Sequence, residues 1–210
     1  VELQAKDYIF RNIVMSDGLS GLLVNAIYKD SEGFVWLGTD NCLDRFDGVK
    51  VRHFEFRGIE SGRKKRVNSV TETDNKQLWV GNGIGLWRLN RTNSQLERIV
   101  PEKIDFAVNT LLANEDGLYI GTEKGLFIHK DGQLLQVLTD RNMLAACNRI
   151  MDICLNEDKT VLWLATVQGL FSYSLKDGKI DSWHFQENVP EADYFRCLTR
   201  IGETLYLGTM

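Results

Sequence analysis

The chain has 210 residues, of which 43% are hydrophobic and 26% charged, and its formal net charge is −4. A chain of this length and composition can bury a sizeable core, and its negative charge argues against nucleic-acid binding as its main role. No apolar run approaches the roughly 18 residues that predict a membrane-spanning helix, and no secretory signal is recognisable at the start.

The first predicted elements, between residues 24 and 56, are short strands separated by tight turns. The runs "VNAIYK", "FVWLGT", "LDRF" and "VKVRHFEF" are rich in β-branched and aromatic residues, which favours strands over helices. The intervening "DSEG" and "DG" supply the residues that tolerate positive φ in hairpin turns. No window of twelve or more residues has a capped amphipathic pattern, so we predict an all-β fold.

The same strand pattern recurs along the chain, with an aromatic anchor on the second strand of each repeat. Successive anchors are 43, 40, 44 and 43 residues apart. The anchors, with the glycine two residues later where there is one, are Trp36 and Gly38, Trp79 and Gly81, Tyr119 and Gly121, Trp163, and Tyr206 and Gly208. Four short strands in each period of 40 to 45 residues predict a β-propeller blade. We expect the anchors to pack between blades and the glycines to let backbones approach closely.

We therefore predict an incomplete β-propeller of about four four-stranded antiparallel blades and part of a fifth, spanning residues 1–210. Residues 1–23 are predicted to be a lead-in with a closing strand at 8–13, and the repeats are placed at about 24–66, 67–107, 108–147, 148–194 and 195–210. Since the fifth repeat stops after its second strand, we expect the chain to be the N-terminal part of a larger propeller. Exposed blade edges are then expected to cause self-association.

The run "SDGLSGLLVNAIYKDSEGFVWLGTDNCLDRFDG", residues 16–48, resembles the first repeat of the two-component regulator propellers. These are periplasmic input domains of hybrid histidine kinases, frequent in Bacteroides-type gut bacteria. The shared pattern is DGLS, then V-x-x-I-x-x-D-x-x-G-x-x-W-x-G-T, then G-L-x-x-x-D. The chain matches it at Asp17, Gly18, Leu19, Ser20, Val24, Ile27, Asp30, Gly33, Trp36, Gly38, Thr39, Leu43 and Asp47. Cys42 replaces the family glycine, so its turn must avoid positive φ or be strained.

This resemblance implies a non-enzymatic ligand-sensing domain on the periplasmic side of the inner membrane. It further implies a homodimer in the full-length receptor, a kinase outside this chain, and an oligosaccharide from glycan breakdown as the ligand. Two other functions stay open at this point. One is a carbohydrate-active or lyase-type propeller enzyme, and the other is a protein-docking propeller with no small ligand.

The loop "RGIESGRKKR", residues 57–66, is the most distinctive feature outside the repeat pattern. It joins the predicted outer strand of one blade to the inner strand of the next, so we expect it on the same face as the loops between second and third strands. The candidate ligand-binding residues are Arg57, Arg63, Lys64, Lys65 and Arg66 here, and Arg141, Arg149, Tyr194 and Arg196 in the two corresponding loops. One interpretation is a rim that attracts carboxylate or sulfate groups of a glycan, and the other is a solvated loop that keeps an edge soluble.

No catalytic residue, cofactor or metal site is predicted. The three histidines, His53, His129 and His184, lie in different repeats, and no two of them share a metal-ligand spacing. The four cysteines, Cys42, Cys147, Cys154 and Cys197, are irregularly spaced. We interpret them as buried free thiols rather than a disulfide framework.

Overall fold

The computed structural model describes residues 12–59, 65–99, 103–138, 149–183 and 194–209. Within these ranges the chain forms eighteen strands and one 3-10 turn, Met15–Asp17. The strands of blades 1 and 2 are β1 Val24–Lys29, β2 Val35–Thr39, β3 Leu43–Phe46, β4 Val51–Phe54, β5 Val67–Glu72, β6 Leu78–Asn82, β7 Gly85–Asn90 and β8 Gln95–Ile99. Those of blades 3 and 4 and the last hairpin are β9 Val108–Asn114, β10 Gly117–Thr122, β11 Gly125–Lys130, β12 Gln133–Leu138, β13 Ile150–Leu155, β14 Val161–Thr166, β15 Gly169–Ser174, β16 Ile180–Trp183, β17 Phe195–Ile201 and β18 Thr204–Thr209.

The sheets are simple antiparallel meanders. Each of the first four contains four strands in sequence order, and β17 pairs with β18 in a fifth, two-stranded sheet. The inner strands β1, β5, β9, β13 and β17 contact one another in that succession. This is how neighbouring blades pack in a propeller, so the predicted all-β fold of four blades and part of a fifth is confirmed. Among the described residues, no helix has the length and apolarity to cross a bilayer.

The aromatic anchors fill the spaces between consecutive blades, as predicted. Trp36, Trp79 and Tyr119 are only 1%, 5% and 4% exposed. Trp36, for example, shares a buried cluster with Val67 of the next inner strand. Tyr206 holds the equivalent position in the last hairpin and is 52% exposed, because no further described sheet covers it. Burial of an anchor therefore depends on the blade that follows.

The glycine two residues after the anchor is required by the next inner strand. A Cβ added at Gly38 would lie 2.5 Å from Val67 Cγ1, and one added at Gly81 would lie 2.5 Å from Val108 Cγ1. Both distances are too short for carbon atoms in van der Waals contact. The close approach at these positions is therefore between the glycine backbone and the valine side chain of the next inner strand, rather than between two backbones as predicted.

The cysteines and the N-terminal segment differ in part from what the sequence predicts. Cys42 is not among the residues with positive φ; its turn is closed instead by Thr39, whose N–H donates to the Cys42 carbonyl at 3.1 Å. Cys42 is buried as expected, but Cys154 is half-buried against the cluster between blade 4 and the last hairpin, and Cys197 is exposed. The expectation of buried thiols is therefore wrong for these two, and Cys147 lies outside the described residues. The predicted closing strand at 8–13 lies largely outside the described residues, and its last two residues are not in a strand.

The lead-in and the first and last sheets carry exposed apolar side chains on their outward sides. Leu22 and Ile27 are 77% and 73% exposed at one end, and Ile201 is 66% exposed at the other. Such surfaces favour association, and on this ground we continue to predict that the chain self-associates. Light scattering over a tenfold dilution should show a mass that falls toward the monomer; a constant monomer mass would contradict it.

The turns that precede the first two anchors share a geometry but differ in one side chain. Asp30 N–H donates to the Phe34 carbonyl and Thr73 N–H to the Gln77 carbonyl, both at 3.0 Å. Asp30 Oδ2 also accepts a hydrogen bond from Trp36 Nε1 at 2.8 Å. In the second blade the buried Trp79 Nε1 has no partner among the described residues. The threonine is too short to reproduce the bond that aspartate makes.

We expect the substitution Thr73→Asp to stabilise the second blade by about 1 kcal/mol, because it supplies the missing acceptor for a buried N–H group. Chemical denaturation of the variant and the parent protein measures the difference. Thr73→Val is the matched control, since both variants lose the hydroxyl that donates to Asn75 Oδ1 and to the Gln77 carbonyl, but only the aspartate adds an acceptor. Equal stability of the aspartate and valine variants would contradict the prediction.

Candidate functional site

A polar cavity of about 600 Å³ lies at one end of the inner strands, and every described sheet contributes to it. It exists because the five inner strands run side by side and begin at the same end. The residues that line it are Asn25, Arg66, Asn68, Ser69, Gly83, Ala107, Asn109, Thr110, Glu123, Arg149, Met151, Asp152 and Arg196. Most occupy the first three positions of an inner strand or the loop just before it.

The structure brings together three of the arginines predicted from the sequence. Arg66, Arg149 and Arg196 all line the cavity, and all three are exposed. Arg57, Lys65 and Tyr194 are described but are not among its lining residues. The remaining candidates, Arg63, Lys64 and Arg141, lie outside the described residues.

The loop that enters the second blade lies on the predicted face. Gly83 N–H, in the turn between β6 and β7, donates to the Arg66 carbonyl at 3.1 Å. Glu123 N–H, in the turn between β10 and β11, donates to the Ala107 carbonyl at 3.2 Å. The entry loops and the turns between second and third strands therefore meet at one end, as expected from propeller connectivity.

Asparagine side chains at the second position of the inner strands join neighbouring blades. Asn68 Nδ2 donates to the Val108 carbonyl at 2.9 Å, and Asn109 Nδ2 donates to the Ile150 carbonyl at 2.8 Å. Each bond links the start of one inner strand to the start of the next. The wall of the cavity is thus held by side chains whose polar groups also face its interior.

Asp152 makes the corresponding links one position further along. Its Oδ1 accepts from Thr110 Oγ1 at 3.0 Å, and its Oδ2 accepts from Leu198 N–H at 2.9 Å. One carboxylate therefore ties blade 4 to blade 3 on one side and to the last hairpin on the other. Burial raises the pKa of this carboxyl, and the hydrogen bonds from Leu198 and Thr110 oppose that effect.

The raised pKa predicts how Asp152 affects stability as the pH changes. A group whose pKa is higher in the folded state favours folding when protonated, and that contribution is lost as the pH rises through the folded-state pKa. We expect the parent protein to gain most in unfolding free energy relative to Asp152→Asn below the ordinary aspartate pKa of about 4, and we expect this gain to shrink as the pH rises. Denaturation at a series of pH values measures it, and a difference that grows with pH would contradict the raised pKa.

The chemistry of the cavity suits a polar, anionic ligand. Its lining contains three arginines and two acidic residues, Glu123 and Asp152. Guanidinium groups bind carboxylate and sulfate oxygens with paired hydrogen bonds, and amide side chains can donate to and accept from hydroxyl groups. Among the lining residues that the structure describes, we find no nucleophile–base pair that would indicate catalysis.

Sequence reasoning found the arginines but missed the amides and Asp152. The available signal was the "VN" that opens three inner strands, at Asn25, Asn68 and Asn109. An amide at the same position of successive repeats lies on the same face of adjacent strands. In the fourth inner strand Met151 stands where the first three have asparagine, and no local motif marks Asp152 directly after it.

Comparison with known proteins gives one family and a set of structural relatives. Residues 18–41 match the family described as two component regulator propeller. The extracellular domain of the hybrid two component system BT3049 from B. thetaiotaomicron superposes with a TM-score of 0.77 at 20% identity, over 95% of this chain and 29% of that one. The corresponding domain of BT4673 from the same organism gives 0.72 at 22% identity, over 89% and 26%.

A second class of propeller has a similar fold. A catalytically inactive virginiamycin B lyase from Staphylococcus aureus, crystallised with quinupristin, gives a TM-score of 0.71 at 14% identity, over 91% of this chain and 65% of the lyase. At these identities the structural likeness shows the fold alone. This chain spans between a quarter and a third of the length of the two extracellular domains. No curated protein sequence matches it.

Proposed function

Because residues 18–41 are a two component regulator propeller repeat, we propose that the chain is part of the ligand-sensing domain of a hybrid two-component receptor. The domain lies on the periplasmic side of the inner membrane, and the kinase that it controls is outside this chain. The ligand is an oligosaccharide released by glycan breakdown. The receptor acts as a homodimer, and this part of it binds its ligand without converting it.

The observation that carries this proposal is the cavity at the ends of the inner strands. A ligand there touches side chains from all five described sheets, from Asn25 in the first to Arg196 in the last. A single bound molecule can therefore favour one arrangement of blades over another. A ligand shifts a conformational equilibrium only to the extent that it binds the two states differently, and contacts with many blades supply that difference.

The charges of the cavity favour acidic sugars over neutral ones. Arg66, Arg149 and Arg196 offer planar donor groups that pair with the carboxylate of a uronic acid or with a sulfate ester. The asparagines near them provide hydrogen bonds for sugar hydroxyl groups. We therefore assign the ligand to the uronate-containing or sulfated oligosaccharides.

Calorimetric titration of the purified protein with matched neutral, uronate-containing and sulfated oligosaccharides tests the proposal. Each titrated mixture is then analysed by chromatography for shortened or unsaturated products. We expect saturable binding of a charged oligosaccharide with no change in its length. Turnover would instead support the lyase-type enzyme, and the absence of binding to any sugar would support a propeller that docks proteins.

A further inference from the structure

The first blade departs from the other three at three positions that the hairpin brings together. Where Cys42 stands, the other blades have Gly85, Gly125 and Gly169. Where Asp44 stands they have the buried aromatic residues Trp87, Phe127 and Phe171, and opposite it, in place of His53, they have Arg98, Gln136 and Ser182. Only the first blade therefore has a thiol, a carboxylate and an imidazole at these positions.

The three side chains converge on one point between β3 and β4. Asp44 Oδ1 lies 2.7 Å from His53 Nδ1 and accepts a hydrogen bond from Cys42 Sγ at 3.2 Å. The three ligand atoms all lie within 4.8 Å of one another. Asp44 is completely buried, whereas 46% of the His53 side chain is exposed, so the cluster has a buried base and an open side.

The second oxygen of Asp44 is held by the lead-in segment. Ser20 N–H donates to Asp44 Oδ2 at 2.8 Å, and Ser20 Oγ donates to the same oxygen at 2.7 Å. These bonds fix the orientation of the carboxylate and direct Oδ1 toward the thiol and the imidazole. Orientation of a ligand by outer hydrogen bonds is a regular feature of protein metal sites.

We propose that Cys42, Asp44 and His53 form a binding site for a zinc-like divalent cation. Thiolate, imidazole and carboxylate are the ligands that zinc prefers, and three protein ligands with an open fourth position are a common zinc arrangement. The exposed side of His53 leaves room for water as the fourth ligand. A dication also balances the charges of a thiolate and a carboxylate, which are costly to bury alone.

The present distances are compatible with such a site after a small movement. Bond lengths of about 2.0 to 2.3 Å in tetrahedral geometry separate ligand atoms by about 3.2 to 3.7 Å. The observed separations of 2.7 and 3.2 Å must therefore grow by about half an ångström. His53 can supply this movement, because it lies on the outer strand β4 and is half exposed. The inference does not depend on the proposed sugar ligand.

Zinc binding by tag-free protein, measured by competition with a chromophoric chelator, tests the site. We expect one equivalent to bind, with affinity at least about tenfold lower in Cys42→Ser and in His53→Gln and also reduced in Ser20→Ala. Cys197→Ser is the matched control, since Cys197 is exposed and lies in the last hairpin rather than in the first blade. This variant should bind zinc as the parent does. Cobalt(II) should give a thiolate charge-transfer band that Cys42→Ser lacks.

Two results would overturn the inference. One is the absence of saturable zinc binding, in which case Asp44 serves only to fasten the lead-in to the first blade. The other is equal affinity in the parent protein and His53→Gln. Circular dichroism of each variant checks folding; should the buried Cys42→Ser fail to fold, the half-exposed His53→Gln still decides the question.

Discussion

Replacing Trp36 with alanine is expected to lower the free energy of unfolding by about 3–5 kcal/mol. The side chain is 1% exposed and packs in the core between blades 1 and 2, with Phe54 at a ring-centroid distance of 5.1 Å. Its removal leaves a cavity that the close-packed strands on both sides cannot fill. It also leaves Asp30 Oδ2 without the indole N–H that donates to it.

Tyr206→Ala is the matched control for this substitution. Tyr206 holds the same position in the repeat but is 52% exposed, so its removal should cost less than about 1 kcal/mol. Urea denaturation followed by circular dichroism measures both. Similar losses in the two variants would show that the anchor stabilises its own blade rather than the contact with the next one.

The second large effect is expected for Asp30→Thr. This substitution gives the first blade the threonine that the second blade has at the equivalent position, Thr73. Asp30 is 4% exposed, and its Oδ1 accepts from Phe34 N–H at 2.9 Å in addition to the indole bond on Oδ2. The substitution removes a charged acceptor from a buried donor, and we expect it to destabilise the protein by about 2–3 kcal/mol. It is the reverse of Thr73→Asp, which is expected to stabilise.

The double variant Asp30→Thr with Trp36→Phe separates the two roles of the carboxylate. Phenylalanine has no N–H group, so the aspartate should matter less when it replaces Trp36. We expect the cost of Asp30→Thr to fall by about 1 kcal/mol in that background. An unchanged cost would show that Asp30 stabilises the protein only through its hydrogen bonds to the backbone of its own turn.

The fold could be predicted from the sequence because each repeat carries its own local signals. Aromatic anchors such as Trp36 and Trp79 recur at nearly constant separations, and turn residues mark the strand ends between them. Antiparallel meanders pair neighbouring strands, so local order determines the sheet. The same regularity places Arg66, Arg149 and Arg196 at one end, since the first two directly precede an inner strand and the third is the second residue of one.

The parts that escaped prediction depend on contacts between repeats or between strands. Asp152 becomes a link because two neighbouring blades present donors to it, and neither donor is close to it in sequence. The pairing of Asp44 with His53 depends on the register of β3 and β4. Their spacing is not that of any familiar metal motif. Comparison of each position with its equivalents in the other blades would have revealed this cluster.

The most direct test of the sensing role is calorimetric titration of a uronate-containing or sulfated oligosaccharide into three proteins. These are the parent, the double variant Arg149→Gln with Arg196→Gln, and the control Arg57→Gln, whose arginine is described but does not line the cavity. We expect the double variant to bind about 10- to 100-fold more weakly, as the loss of hydrogen bonds to a charged group implies, and the control to bind as the parent does, with the oligosaccharide recovered intact in every case. Equal binding by the parent and the double variant, or recovery of cleaved sugar, would contradict ligand sensing at this cavity.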